Sequence, residues 1–425
     1  MTVEQSGYID LKGEARDYTK FFLQHNPFPS LPIPQESPPI TADRVAPIKK
    51  FRDSIAELTN TGVTVITVVV GEYGSGKSHL FRIFKRNINS QLLSLDKGML
   101  AIYVKTPGND FADLFFGCID DVGKSLLTEY ARVMLLRHMK ADPDEVMARI
   151  FDPPVQKRFL SGDFDIDEIL ANSSFVDINR QVRSALFPDV KSDDFVMAFL
   201  TLPHPEYGPK AWKWLIGGEL ERGERDVLGI SGSIRDPDTA FRLFGDFVRI
   251  LNVVGVKSFV VLVDELEKIT FLTKTSRTNY QDVLRQWIDA YPNNVCFYFA
   301  IAPHQWDLLV KEPTALVRRL SGNWYVLQAF GEEETRELVE KYLGANRIEP
   351  YEIKEARKNF PSCEPELAPF ANESIPIIQS VSKGTVSTIL LLCRRSLEHL
   401  FDDFGKYKAV TPELVKLVAK EEGFE

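Results

Sequence analysis

The sequence predicts an α/β fold: a parallel sheet around a glycine-rich turn, a large helical insertion and a C-terminal helical lid. Three observations predict it. Short apolar, β-branched runs stand at 64–70, 99–104, 258–264 and 294–302, the pattern of strands covered on both faces. The first run passes straight into GEYGSGKS and then into a helical pattern, a strand–loop–helix unit. From residue 332 onward the periodicity is helical only.

Taken in order, 17–24 is a short helical candidate. A segment with five prolines, Pro27, Pro29, Pro32, Pro34 and Pro38, follows and is denied regular helix. Residues 45–60 place Ile48, Phe51, Ile55 and Leu58 on one helical face. The helix after the glycine turn, 76–88, points Leu80, Ile83 and Phe84 inward, and MLAIYV at 99–104 is the next strand. Residues 109–257 exceed what a crossover needs and read as a helical insertion within the same domain. SFVVLVD and NVCFYFAIA are two further strands, and WYVLQAF at 324–330 is a weaker one. The last helix has Thr411 as N-cap and Pro412 at its first position, with Leu414, Leu417 and Val418 as its inward stripe. The expected division is an N-terminal arm at 1–44, an α/β nucleotide-binding domain at 45–330 and a helical lid at 331–425.

The chain has 425 residues, long enough for two to three domains. Its 44% hydrophobic and 26% charged residues are ordinary for a globular protein. The formal net charge of −9 excludes holding nucleic acid by bulk charge, so such contact needs a local basic groove or an oligomer. Cys118, Cys296, Cys363 and Cys393 form no CxxC pair, which argues against zinc and a disulfide framework. No run approaches the ~20 apolar residues of a membrane span. The polar N-terminus is no secretory signal, so a cytoplasmic protein without a membrane partner is expected.

The chemistry concentrates in two places. In GEYGSGKS, Gly71, Gly74 and Gly76 let the backbone curl until its N–H groups face one concavity at the positive end of a helix, which suits a polyphosphate. Gly71, Glu72, Tyr73, Gly74, Ser75, Gly76, Lys77, Ser78 and His79 make up the expected nucleotide site. Lys77 reaches the β- and γ-phosphates, and Ser78 offers a hydroxyl to Mg²⁺. In SFVVLVDE an apolar strand ends in two acids: Asp264 to hold Mg²⁺ through its water shell, Glu265 to polarise an attacking water. Glu267 and Lys268 read as surface residues.

Other polar positions keep two readings each. His304 and Gln305 face the γ-phosphate or cap a helix. Arg318 and Arg319 reach a neighbouring subunit's nucleotide or are a solvated pair. Arg394 and Arg395 are lid residues on ATP or surface. Tyr18, Phe21, Phe22 and Phe28 are an adenine wall or, by preference, core. Trp212 and Trp214 stack on bases or, by preference, anchor the insertion.

The order GEYGSGKS, VVLVDE, a strand ending near Ala302, VRRL and a helical tail resembles the AAA+ class of P-loop ATPases. The leader NPFPSLPIPQESPPITADR with its following helix is similar to that of origin-recognition-type initiator ATPases. The stretch from WKWLIGGELERG to VVLVDELEK, with GEYGSGKSHL, resembles the ATP-binding proteins of bacteriophage-exclusion (BREX) defence systems and their archaeal relatives. The resemblance is firm around 64–85 and 211–268. It implies ATP and Mg²⁺ as cofactors and a homo-oligomer with Arg319 as an inter-subunit finger. It also implies ATP hydrolysis driving assembly or remodelling on DNA or a DNA-handling complex, in defence or genome maintenance. Two departures stand out. The usual Asn or Thr sensor falls near Ala302 and Pro303, and the usual lid arginine falls near Ser387. The winged-helix DNA reader of initiators has no counterpart before Glu425.

Two other function classes remain beside it. One is a slow nucleotide-gated switch or scaffold that docks partners through its helical insertion. The other is a small-molecule phosphotransferase, which the DE pair and the helical tail disfavour.

Overall fold

The computed structural model describes residues 16–30, 44–93, 98–141, 175–234, 236–312, 314–349, 351 and 353–424. Pro32, Pro34 and Pro38 of the leader, and 142–174 of the insertion, lie outside them. The chain divides into two compact units.

The larger unit, 49–71 and 80–326, is built on five parallel strands. These are β1 (Val65–Val70), β2 (Met99–Val104), β3 (Ser258–Val263), β4 (Val295–Ile301) and β5 (Trp324–Val326), in the order β2-β3-β4-β1-β5. β4 runs between β1 and β3, pairing Val70 with Ile301 and Val263 with Phe299. The inner strands are buried nearly throughout, as a sheet covered on both faces requires. β5 lies at the edge and stops at Val326, shorter than the 324–330 expected.

α1 (Val45–Thr61) and α2 (Lys77–Gln91) flank β1 in the chain. Phe51 stacks on Phe84 with ring centroids 3.7 Å apart, and the Ser54 hydroxyl lies 2.9 Å from that of Tyr298. In α2 Leu80, Phe81 and Phe84 are buried, whereas Ile83 is only half-buried.

The described insertion contains α3 (Phe111–Val122), α4 (Lys124–Ala141), α5 (Phe175–Leu186), α6 (Asp193–Thr201), α7 (Gly208–Leu215), α8 (Arg222–Leu228) and α9 (Pro237–Val254). No strand occurs among its described residues, as expected. α6 is buried from Phe195 to Thr201, so it is the insertion's inner helix, apolar all round for that reason. The carboxylate of Asp246, buried on α9, accepts from the backbone N–H groups of Lys191 and Ser192 and fixes the start of α6. α9 begins at an Asp236 cap with Pro237 next, and turns at Gly255 into β3. Trp214 is buried and gives its indole N–H to the Gly232 carbonyl at 2.7 Å, a core anchor. α10 (Lys274–Ala290), α11 (Pro303–Lys311) and α12 (Ala315–Leu320) complete the unit.

The second unit joins 1–48, 72–79 and 327–425. It holds α13 (Glu332–Gly344), α14 (Ile353–Asn359), α15 (Ser374–Ser382), α16 (Val386–Asp402) and α17 (Pro412–Glu421). The leader is part of its core. Tyr18, Phe21, Leu23 and Phe28 are buried with Leu338, Phe370, Leu392 and Leu414. Phe28 stacks on Tyr342 at 5.7 Å, and Phe21 meets Phe404 edge-on at 5.5 Å. The aromatic cluster is therefore core. The helix expected at 17–24 is only a 3₁₀ turn, Thr19–Phe21, because Phe22 adopts φ 60° and Leu23 bridges to Arg347. Arg347 is itself buried, and its guanidinium donates to the carbonyls of Phe21 and Ala368. Thr411 caps α17 as expected, but the buried stripe is Leu414, Val415, Val418 and Ala419; Leu417 is 38% exposed.

Candidate nucleotide site

At the carboxyl edge of the sheet, Gly71 continues β1 and its N–H donates to the Ile301 carbonyl at 3.1 Å. Asp264 continues β3, held by a 2.8 Å bond from its N–H to the Val104 carbonyl. Its carboxylate is buried (1% exposed), yet it accepts from the Tyr103 hydroxyl at 3.1 Å and from the Glu265 N–H at 2.9 Å. A buried carboxylate without such donors carries a steep desolvation cost. Glu265 stands at φ 51°, ψ 40°, a left-handed conformation that costs a non-glycine residue about 1–3 kcal/mol. That turn throws its side chain away from the strand. The carboxylate ends half-exposed, 2.8 Å from Lys268 Nζ.

Glu267 corrects the sequence reading. It is buried at 3% exposure, and its Oε2 accepts from the Ala302 N–H at 3.3 Å. It ties the acidic turn to the end of β4. Lys268 is exposed as expected. The signal for Glu267 was indirect: Ala302 caps α11, and a helix start leaves N–H groups that need an acceptor. His304 and Gln305 follow on the first turn of α11. His304 is exposed, Gln305 half-buried, and neither side chain bonds another among the described residues.

The phosphate loop, Glu72–His79, belongs to the second compact unit and is described within it. Gly74 and Gly76 have φ of +75° and +96°, so the loop curls through the left-handed region as its glycines predict. Lys77 is buried, its Nζ donating to the Glu72 carbonyl at 3.0 Å and lying 5.6 Å from the Tyr73 ring centre. Ser75 Oγ is buried and finds no partner among the described residues.

Two contacts bracket the loop, one from the lid helix α16 and one from Arg44. The Ser387 N–H, in the first turn of α16, donates to the Gly74 carbonyl at 3.3 Å. A Cβ placed on Gly74 would meet Ser387 Oγ at 2.1 Å. Ser387, standing where a lid arginine is usual, therefore packs against the loop backbone. The second contact is Arg44, which sequence reasoning missed. It donates to the Ser75 carbonyl at 2.6 Å and the Gln328 carbonyl at 2.8 Å, with its guanidinium 4.3 Å from the Phe330 ring centre. A single arginine ahead of a helix carries no sequence signal for this role.

Three of the four remaining candidate arginines make ion pairs within the chain. Arg394 donates to the Phe28 carbonyl at 2.7 Å and pairs with Glu398 at 3.0 Å. Arg395 pairs with Glu398 and with Glu422. Arg319, ahead of β5, binds Asp289 at 2.9 Å and holds that carboxyl below the usual range by its hydrogen bond. Arg318 is exposed and makes no ion pair among the described residues. The four cysteines are free and buried. Among the described residues no cluster of three or more His, Cys, Asp or Glu side chains forms a metal site, and no helix is long and apolar enough to cross a membrane.

Comparison with known proteins bears on this geometry. Residues 206–330 match the family model described as BREX system ATP-binding protein BrxC/D. The matched stretch runs from the insertion through Asp264 and Glu265 to Phe330. Among solved structures, the Aeropyrum pernix ORC2 protein in its ADPNP–ADP complexes is similar, with a TM-score of 0.50 at 10% identity over 92% of this chain and 70% of that one. Its ADP form gives 0.46 at 10% identity over 96% and 73%, and a Walker-type ATPase of Pyrococcus abyssi 0.40 at 13% over 90% and 72%. No curated protein matches the chain. The fold is that of a P-loop AAA+ ATPase like ORC2 in its ADPNP–ADP complexes, and residues 206–330 resemble the BREX ATP-binding proteins.

Proposed function

We propose that the protein binds and hydrolyses ATP, and that it works as an oligomer on DNA or a DNA-handling complex, in defence or genome maintenance. One observation carries the ATPase reading: Gly71, the root of the phosphate loop, and the Asp264–Glu265 pair leave the same carboxyl edge with only β4 between them. Open α/β sheets bind ligands at that edge. In this reading the loop N–H groups and Lys77 hold the phosphates. Glu265 takes a proton from the water that attacks the γ-phosphorus, and ADP leaves with the bridging oxygen. Ser78 and Asp264 are hard oxygen donors, few in number, as Mg²⁺ prefers while it keeps its waters. When bound, Mg²⁺ supplies neutralising charge at the phosphates. The likeness to BREX ATP-binding proteins supports the DNA-linked role.

The test is ATP turnover with and without DNA. Lys77→Ala is expected to lose nucleotide binding. Glu265→Gln is expected to keep binding and lose turnover by about 10²–10⁴-fold. Turnover unchanged in Lys77→Ala rejects the site.

The slow switch or scaffold is the second reading. It is favoured by Ser387 in place of a lid arginine and by Arg319 already engaged with Asp289. It requires oligomeric mass or partner binding to differ between ATP and ADP. Equal values in the two states leave the hydrolytic reading alone.

A further inference from the structure

The opposite edge of the sheet carries a second feature that the nucleotide chemistry does not use. A cavity of about 450 Å³ opens where the chain enters β3 and β4. Its wall brings together Lys191, Arg242, Arg249 and Lys257, with Phe241 and Tyr291 as apolar sides, and no carboxylate lines it. In a chain of net charge −9 that is a local reversal of sign.

Arg249 is partly neutralised, 2.8 Å from the buried Asp246. Lys191 and Lys257 make no ion pair among the described residues; Arg242 donates to the Thr239 hydroxyl at 3.0 Å and its charge also reaches the Asp236 carboxylate, helping to hold that carboxyl below its usual range. All three are exposed and meet solvent through the cavity mouth. Gly245 opens the floor: a Cβ there would stand 3.4 Å from Arg249 Nη1 and 3.8 Å from the Tyr291 hydroxyl. The volume lies within the range of small-molecule pockets and suits one nucleotide-sized group. At roughly 3.3 Å per residue, the six-residue β3 separates it from Asp264 by about 20 Å.

We propose that this cavity binds a phosphate-bearing ligand of nucleotide size, free or as one unit of a single strand, through Lys191, Arg242 and Lys257. It supplies a contact surface for the nucleic-acid part of the proposed function without resting on the ATPase part. Clustered cations bind phosphate by charge and counterion release, so binding weakens as salt rises.

The experiment titrates labelled oligothymidylate, thymidine monophosphate and inorganic phosphate into the full chain, its Arg242→Glu/Lys257→Glu variant and its Lys77→Ala variant. Both reversed positions are exposed, and an unchanged far-ultraviolet circular dichroism spectrum and melting temperature report that the double variant is folded. At least one probe is expected to bind wild type and to weaken tenfold or more in the double variant. The salt slope for the oligonucleotide is expected to fall by roughly 1.4, about 0.7 per charge removed. Binding of the oligonucleotide alone identifies a strand as the ligand source; equal binding of the monophosphate identifies the free nucleotide. Lys77→Ala is expected to leave this binding intact. No binding of any probe to wild type at millimolar concentration, an unchanged double variant, or loss confined to Lys77→Ala overturns the proposal.

Discussion

Lys77, Ser78, Asp264 and Glu265 were legible as candidates, because the roles proposed for them follow from neighbours in the chain: glycines before a lysine, acids after an apolar run. Glu267 and Arg44 were not. Their roles come from groups 35 and 31 positions away, the Ala302 N–H and the Ser75 carbonyl. For Arg319 the resemblance implies an inter-subunit finger, and within the chain its guanidinium pairs with Asp289. That pair sets a residue-level prediction. Because Asp289 is held below its ordinary pKa, the pair persists above the unfolded carboxyl's pKa near 4 and is lost as pH falls through the lowered value. If Arg319 acts on a neighbouring subunit, it must leave Asp289. Arg319→Ala should then lower turnover by about 10³-fold or more at concentrations where the oligomer forms. Asp289→Asn should not lower it. Equal turnover of Arg319→Ala and wild type at every concentration removes the finger.

Among elements, the central strands were read to within a residue, since apolar runs buried on both faces leave little choice of register. The misread elements lie where tertiary contacts override local pattern. The leader's helical periodicity at 17–24 yields to a 3₁₀ turn packed into the lid, and β5 stops at Val326, leaving 327–330 outside the sheet. The loop and the lid helix α16 meet at Gly74, whose positive φ and crowded Cβ direction both exclude a side chain. Gly74→Ala is expected to cost about 1–3 kcal/mol locally and to weaken ATP binding by tenfold or more in a nucleotide titration, with far-ultraviolet circular dichroism unchanged. Full affinity in that variant means the loop need not hold its curl against Ser387.

At the scale of the whole molecule, the buried apolar side chains among the described residues gather in two cores, one around the sheet and insertion, the other in the lid unit. Two such cores predict two melting transitions by calorimetry, outside simple two-state behaviour. Phe21→Ala should lower the lid transition alone, by about 3–5 kcal/mol; a shift of both together would mean the cores melt as one. The two-core division was only partly legible, because nothing in the pattern of 16–30 says that it closes a unit formed by residues past 327. That closure has a consequence for synthesis. Phe21 is synthesised nearly four hundred residues before Leu414 and Val418, which share its core. At about 5–20 residues per second, the leader's aromatic rings wait roughly 20–80 s for their cover. Holdase chaperones therefore have a long opportunity on the nascent chain at residues 16–30.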